Sequence, residues 1–140
     1  MVYQEIRSIH VLTEASLTRE LESLSLTVSQ WNALSAIARN DGPLLMGELS
    51  STLLIDNTTM TRVIDVLENM HAVRRTSISA DRRARPVELT AAGQELYESG
   101  RAAVERVEQG LTAGFSRDQR AALAETLSRL KLNLTDQSSK

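Results

Sequence analysis

The stretch from residue 73 to residue 90 constrains this chain more than any other. It reads Val-Arg-Arg-Thr-Ser-Ile-Ser-Ala-Asp-Arg-Arg-Ala-Arg-Pro-Val-Glu-Leu-Thr. Two short β-prone runs, Val73–Ser79 and Pro86–Thr90, flank a six-residue loop, Ala80–Arg85. Such a pattern predicts a β-hairpin with a polar tip. Five arginines (Arg74, Arg75, Arg82, Arg83 and Arg85) stand against one carboxylate, Asp81, between residues 74 and 85.

That charge is out of step with the rest of the molecule. The formal net charge is −2, so a hairpin carrying about +4 leaves about −6 on the body. Positive charge gathered on a projecting loop suits a polyanion, because each Arg that meets a phosphate releases a condensed counterion. An acidic body behind it would orient the protein on a duplex. Arg74 and Arg75 sit at the hairpin base, where one of them could face the body's acids instead.

Helical periodicity accounts for most of what remains. Val2, Ile6, Ile9, Leu12, Leu17, Leu21 and Leu24 predict a first helix over about 3–23. Thr27-Val-Ser-Gln30 has the form of a capping box and opens a second helix to about Arg39, with Trp31, Leu34, Ile37 and Ala38 inward. Asn40-Asp41-Gly42-Pro43 ends it as a turn. A short third helix follows over Met46–Leu54, with Leu44 and Leu45 where a capping hydroxyl would be expected. Asp56 caps a fourth, whose Met60, Val63, Ile64, Leu67 and Met70 form an apolar face. Thr90 caps a fifth to about Thr112, and Ser116-Arg-Asp-Gln119 is a second capping box that opens a sixth. Leu96, Ala103, Val104, Val107 and Leu111 mark the fifth helix, and Leu123, Leu127, Leu130 and Leu134 the sixth.

The order is four helices, a hairpin and two helices. This predicts a mainly α fold, a winged helix-turn-helix with a two-stranded wing and flanking terminal helices. A single domain over 1–140 is expected, with the winged core at 27–90. The segments 1–24 and 91–136 carry apolar stripes that a core of that size would not cover alone, so they read as dimerisation helices of a homodimer. Aromatic content of 3 % leaves the core to Leu, Val, Ile, Ala and Met. The absence of Cys excludes disulfides and thiolate metal sites. No apolar run approaches the ~18 residues of a bilayer span, and the charged start carries no secretion signal, so a cytoplasmic location without membrane contact is expected. Neither a Gly-rich phosphate loop nor a nucleophile–base pair in a recognisable setting is present, so catalysis and cofactors are not expected. Two histidines, His10 and His71, make a weak case for metal.

These residues carry a resemblance to a known family. Asp81-Arg82-Arg83-Ala-Arg-Pro-Val-Glu-Leu89-Thr90-Ala-Ala-Gly93 is similar to the Asp-x-Arg wing tip and following Leu-Thr-x-x-Gly of the multiple-antibiotic-resistance regulator (MarR) family of winged-helix transcription factors. Leu26-Thr27-Val-Ser-Gln30-Trp31-Asn-Ala-Leu34 resembles its second helix, and Thr59-Met-Thr61-Arg62-Val-Ile-Asp65-Val-Leu67-Glu68 its recognition helix. The likeness runs over about residues 5 to 135. Two departures stand out: His71 occupies the place of the family's Gly after the recognition helix, and the third helix lacks its capping hydroxyl.

The resemblance implies a homodimeric DNA-binding regulator, more readily a repressor than an activator. Asn57, Thr58, Thr59, Thr61 and Arg62 would face the major groove, where Thr methyls meet thymine methyls and Arg reaches guanine. Arg83 would enter the minor groove with Asp81 bracing it, and Arg82 and Arg85 would meet phosphates. Family members often bind small aromatic or anionic effectors; His10 and Trp31 are candidate lining residues on that analogy, although core packing is the favoured reading of the chain's one Trp. The competing expectation is a winged-helix protein-interaction module that does not bind DNA. Five arginines in one hairpin argue against it.

Overall fold

The computed structural model describes residues 1–76, 80–81 and 84–138. Its elements are α1 (Val2–Leu21), continued by a 3-10 turn (Glu22–Leu24), α2 (Val28–Arg39), α3 (Met46–Leu53), α4 (Asn57–Asn69), β1 (Val73–Arg75), β2 (Val87–Leu89), α5 (Ala91–Leu111) and α6 (Arg117–Ser138). Contacts divide the chain into two compact units, Met1–Val107 and Glu108–Lys140.

The predicted caps set most helix starts in the first unit. The Thr27 hydroxyl accepts from the Gln30 N–H at 3.2 Å, and the Gln30 side chain accepts from the Thr27 N–H at 3.1 Å. Asp56 accepts from the Thr59 N–H at 2.9 Å. At α3 the missing hydroxyl is partly made good. Glu48 reaches back to accept from the Leu45 N–H at 3.0 Å, which is half of a capping box. Leu45 has no acceptor to supply the other half.

Inside the unit, Leu21, Leu34, Leu49, Met60, Ile64, Leu67, Val73 and Val87 have almost no exposed surface. They come from α1, α2, α3, α4 and both strands, so one core ties the helix-turn-helix to the wing base. Trp31 lies in this packing. Its ring stacks on Tyr97 with centroids 5.6 Å apart, and a Cβ at Gly100 would come within 2.2 Å of it. Gly100 is therefore what lets α5 approach the indole.

The hairpin is antiparallel, with Val73 opposite Leu89, Arg74 opposite Glu88 and Arg75 opposite Val87. Beyond it the Thr76 N–H donates to Pro86 O at 2.8 Å. The remainder of the expected first strand, residues 77–79, lies outside the described residues. The wing base also has a contribution the sequence did not suggest. Leu44 exchanges two backbone hydrogen bonds with Val87, at 2.9 and 2.8 Å, and so serves as a one-residue third strand. Leu44 thus satisfies the otherwise open edge of β2.

A tight corner joins α4, β1 and α5. The His71 N–H donates to Glu68 O and the Ala72 N–H to Leu67 O, which is the two-bond Schellman closure of a helix. His71 takes the left-handed conformation, φ 58°, at the position where the family carries Gly. The Thr90 hydroxyl donates to His71 O and accepts from the Gly93 N–H. The Thr90 N–H donates to Ala72 O at 3.1 Å. A Cβ on Gly93 would lie 1.8 Å from that same carbonyl oxygen. The Leu-Thr-x-x-Gly motif is thereby explained: Thr caps α5 and clips it to the end of α4, and Gly removes the atom that would hold them apart.

The second unit contains the end of α5, a reversal through Gly114 (φ 82°), and α6. The Ser116 hydroxyl accepts from the Gln119 N–H at 3.2 Å and Gln119 accepts from the Ser116 N–H at 2.9 Å, as its capping box predicts. No described residue of α6 is buried. No helix among the described residues is long and apolar enough to cross a membrane.

Two variants test the corner. Gly93→Ala must displace backbone and is expected to cost about 3 kcal/mol, lowering Tm by roughly 10 °C in a thermal melt. His71→Gly removes left-handed strain of about 1–2 kcal/mol against the ~0.5–1 kcal/mol entropic cost of glycine. Tm is therefore expected to rise slightly; a fall would mean that His71 makes a stabilising contact of its own.

Candidate nucleic-acid interface

α4 is the element with the clearest two-faced character. Met60, Val63, Ile64 and Leu67 are buried beneath it. Asn57, Thr58, Thr59 and Arg62 are exposed on the other side, and Thr61 is half-buried. The structure thus places all five sequence-predicted recognition residues in the first two turns of one helix. Two of the hydroxyls have their protons engaged: Thr59 donates to Asp56 at 2.8 Å and Thr61 donates to Asn57 O at 2.8 Å. Both still offer a methyl and a lone pair, which suits thymine methyl contact and acceptance from base donors. Arg62 makes no ion pair among the described residues. Its guanidinium charge is therefore available to an anionic partner.

Beside this face, the turn from α3 to α4 forms a shallow depression of about 500 Å³ lined by Gly47, Ser50, Ser51, Leu54, Ile55, Asp56 and Asn57. Leu54 adopts a left-handed φ of 56° and is 87 % exposed. It marks the outer edge of the turn.

Asp56 holds the N-terminus of α4 electrostatically as well as sterically. The Thr59 N–H, and next the Thr59 hydroxyl, hold its carboxyl below the ordinary value of 3.8. The sign follows from linkage. A carboxyl whose folded pKa is depressed stabilises above its unfolded value, and the contribution is lost as pH falls through the folded one.

The wing base distributes its arginines in a way the charge count did not reveal. Arg75 turns inward, with its side chain 5 % exposed, and bridges Asp65 and Glu68 of α4, each at 2.9 Å. Of the two base arginines, this is the one that faces the body's acids. Arg74 pairs across the strands with Glu88 at 2.7 Å. At the tip, Asp81 is exposed and its carbonyl accepts from the Ala84 N–H at 3.1 Å. Arg85 is half-buried. Arg82 and Arg83 lie outside the described residues. Both base arginines are therefore matched by carboxylates.

The two suggested effector residues fall in different settings. His10 is exposed on α1, whereas Trp31 is a packed core residue against Tyr97 and Gly100. Among the described residues no group of three His, Asp or Glu converges as a metal site would. What sequence reasoning missed is the Arg75 bridge and the Leu44 strand. Asp65 and Glu68 lie three apart on α4 and so share a face, the one signal that could have pointed to a cation between them.

One prediction concerns Asp56. Asp56→Ala is expected to lower Tm by a few degrees at neutral pH and to speed amide exchange in the first turn of α4. The gap between parent and variant should close as pH falls below 3.8. A gap independent of pH would show that the carboxylate charge is not what matters.

Comparison with known proteins agrees with this geometry. A sequence model of the MarR family matches residues 24–84, which span the helix-turn-helix and reach into the wing. The HTH-type transcriptional regulator PecS of Dickeya dadantii is 25 % identical over 140 residues, covering 97 % of this chain and 83 % of that protein. Among solved structures, the transcriptional regulator PA3341 superposes with a TM-score of 0.85 at 26 % identity, over 97 % of this chain and 99 % of that one. MepR of S. aureus, solved as a DNA complex, has the same fold, with a TM-score of 0.81 at 19 % identity over 96 % of both chains. The matched helix-turn-helix, the Thr90–Gly93 clip and the near-full-length structural likeness point the same way: over residues 24–84 the chain is similar to the MarR family, and its fold is that of solved winged-helix transcriptional regulators.

Proposed function

We propose that this protein is a homodimeric repressor that binds a pseudo-palindromic operator in duplex DNA and is released by a small aromatic or anionic effector. The observation that carries the DNA-binding part is the exposed start of α4. Asn57, Thr58, Thr59 and Arg62 project from one helix whose opposite face is locked into the core. The basic tip of the adjacent hairpin supplies the second contact, with Arg83 in the minor groove, Asp81 bracing it, and Arg82 and Arg85 on phosphates. The S. aureus relative of the same fold was solved bound to DNA, which supports this reading.

Uncovered apolar surface supports the dimer. On α1, Val2, Ile6, Ile9 and Leu12 are exposed; on α6, Leu123, Leu127, Leu132 and Leu134 are exposed. Stripes of this kind on two helices of one chain mark a contact surface, and a second copy covers both economically. Two recognition helices then meet half-sites about one helical turn apart. A dimer seated on a promoter represses by occupancy. An effector releases it by binding the DNA-incompetent arrangement more tightly by a few kcal/mol. Trp31 is fully packed, so an effector that touches it must displace Tyr97 or enter beside it.

The test is duplex selection from a random library, followed by fluorescence anisotropy at several salt concentrations. A dyad-symmetric site bound with a steep salt slope is expected; absence of any sequence preference would overturn the reading. On that site, Arg83→Ala is expected to weaken binding by about 1–3 kcal/mol and to reduce the salt slope by about one. Arg62→Ala and Thr59→Ala should instead change base preference by about 1–3 kcal/mol at one position, with the salt slope less affected.

A further inference from the structure

Arg75 is a charge held inside the protein. Its side chain is 5 % exposed, with Nη2 on Asp65 and Nη1 on Glu68. Its Nε is buried with no hydrogen-bond partner among the described residues. A buried ion pair recovers its desolvation cost only when geometry is good and the remaining donors are met; otherwise an apolar side chain of similar volume packs there with equal or greater stability. One donor here is unmet. Stability alone therefore gives no reason for an arginine at this position, and its placement does.

Asp65 and Glu68 precede the left-handed corner at His71, and Arg75 follows it at the end of β1. The bridge thus spans the corner like a strut. The next residue, Thr76, forms the last described rung before the tip, its N–H donating to Pro86 O. Arg75 thus adds to the core contacts of Val73 and Val87 a polar tie at the point where the two strands leave the body.

We propose that Arg75 is a positioning residue: by tying Asp65 and Glu68 to the end of β1 it sets the angle between α4 and the wing, so that one duplex meets both together. This rests on the DNA-binding reading above. Arg75 does not itself touch DNA, since it is buried and both terminal nitrogens are engaged. Its effect is through rigidity. Two contact surfaces held on one body bind with a single loss of orientational freedom, whereas a loosened second surface must find its groove at a finite effective concentration.

The informative variant is Arg75→Met, which fills the space without a charge. Its former partners are not stranded, because the Asp65 and Glu68 side chains are 47 % and 27 % exposed and can hydrate. Arg75→Lys keeps the charge but lacks the planar fork that holds two carboxylates at once. The full chain is studied three ways: thermal melting, residual dipolar couplings of backbone amides without DNA, and anisotropy on the selected duplex. For Arg75→Met we expect a Tm within a few degrees of the parent. The couplings of α4 and of β1–β2 should no longer fit one rigid orientation. Duplex affinity should fall by about tenfold, with the salt slope shallower although no phosphate contact was removed. Arg75→Lys should lie between the two. Couplings in Arg75→Met that still fit the parent's single orientation would overturn the proposal whatever the DNA data show. So would a large loss of Tm in which binding tracks only the folded fraction. Divergent couplings in a protein whose parent binds no selected duplex would uphold the strut and overturn the DNA-binding reading instead.

Discussion

The Thr90 hydroxyl sits where three elements meet, and the geometry of the putting-together of helix, wing and α5 depends on it. It donates to the carbonyl of His71 and accepts from the Gly93 N–H, while the Thr90 backbone N–H binds Ala72 O. Three polar groups that a helix end and a helix start would otherwise leave unmet are satisfied within one turn. The clip works only because Gly93 has no Cβ to strike Ala72. From this corner α4 runs one way, β1 another and α5 a third. The apolar core below, centred on Leu67, Val73 and Val87, holds them there.

Charge is sorted around the same corner. Counted along the sequence, the hairpin carries a strong positive excess. In space, Arg75 is withdrawn into the body by Asp65 and Glu68, and Arg74 is matched by Glu88. At the wing base two arginines thus meet three carboxylates, so their charge is matched within the protein. Arg62 on α4 makes no ion pair among the described residues. In the proposed reading two kinds of contact divide the work: α4 would offer side chains suited to base edges, and the wing would offer charges suited to a narrow groove and to phosphates.

Much of this was legible in the sequence because it is local. The Thr27/Gln30 and Ser116/Gln119 boxes, the Asp56 cap and the apolar face of α4 each depend on residues within one or two turns, and each formed as read. His71 stood out in the sequence only as a departure from the resembled family's Gly; the structure shows that it takes the left-handed conformation. The features that escaped are long-range or have no sequence period. Leu44 pairs with a residue 43 positions away through backbone atoms alone, so its side chain gives no sign of the third strand. The choice between Arg74 and Arg75 for the inward place is set by strand register, Arg75 lying opposite buried Val87. Glu48 rescuing the start of α3 was readable in principle, since it stands at the third position of the helix, but Leu45 before it hides the box.

The central claim is that α4 and the wing act on one duplex as a single rigid reader, duplicated by a dyad. Hydroxyl-radical footprinting on the selected duplex tests it most directly, because cleavage reports minor-groove and backbone access at single-nucleotide steps. The account predicts two symmetric protections flanking the recognition half-sites, about one helical turn from centre to centre for the half-sites, and both appearing at the same protein concentration. Protection confined to the half-sites with open flanks, or a footprint without a dyad, would contradict it.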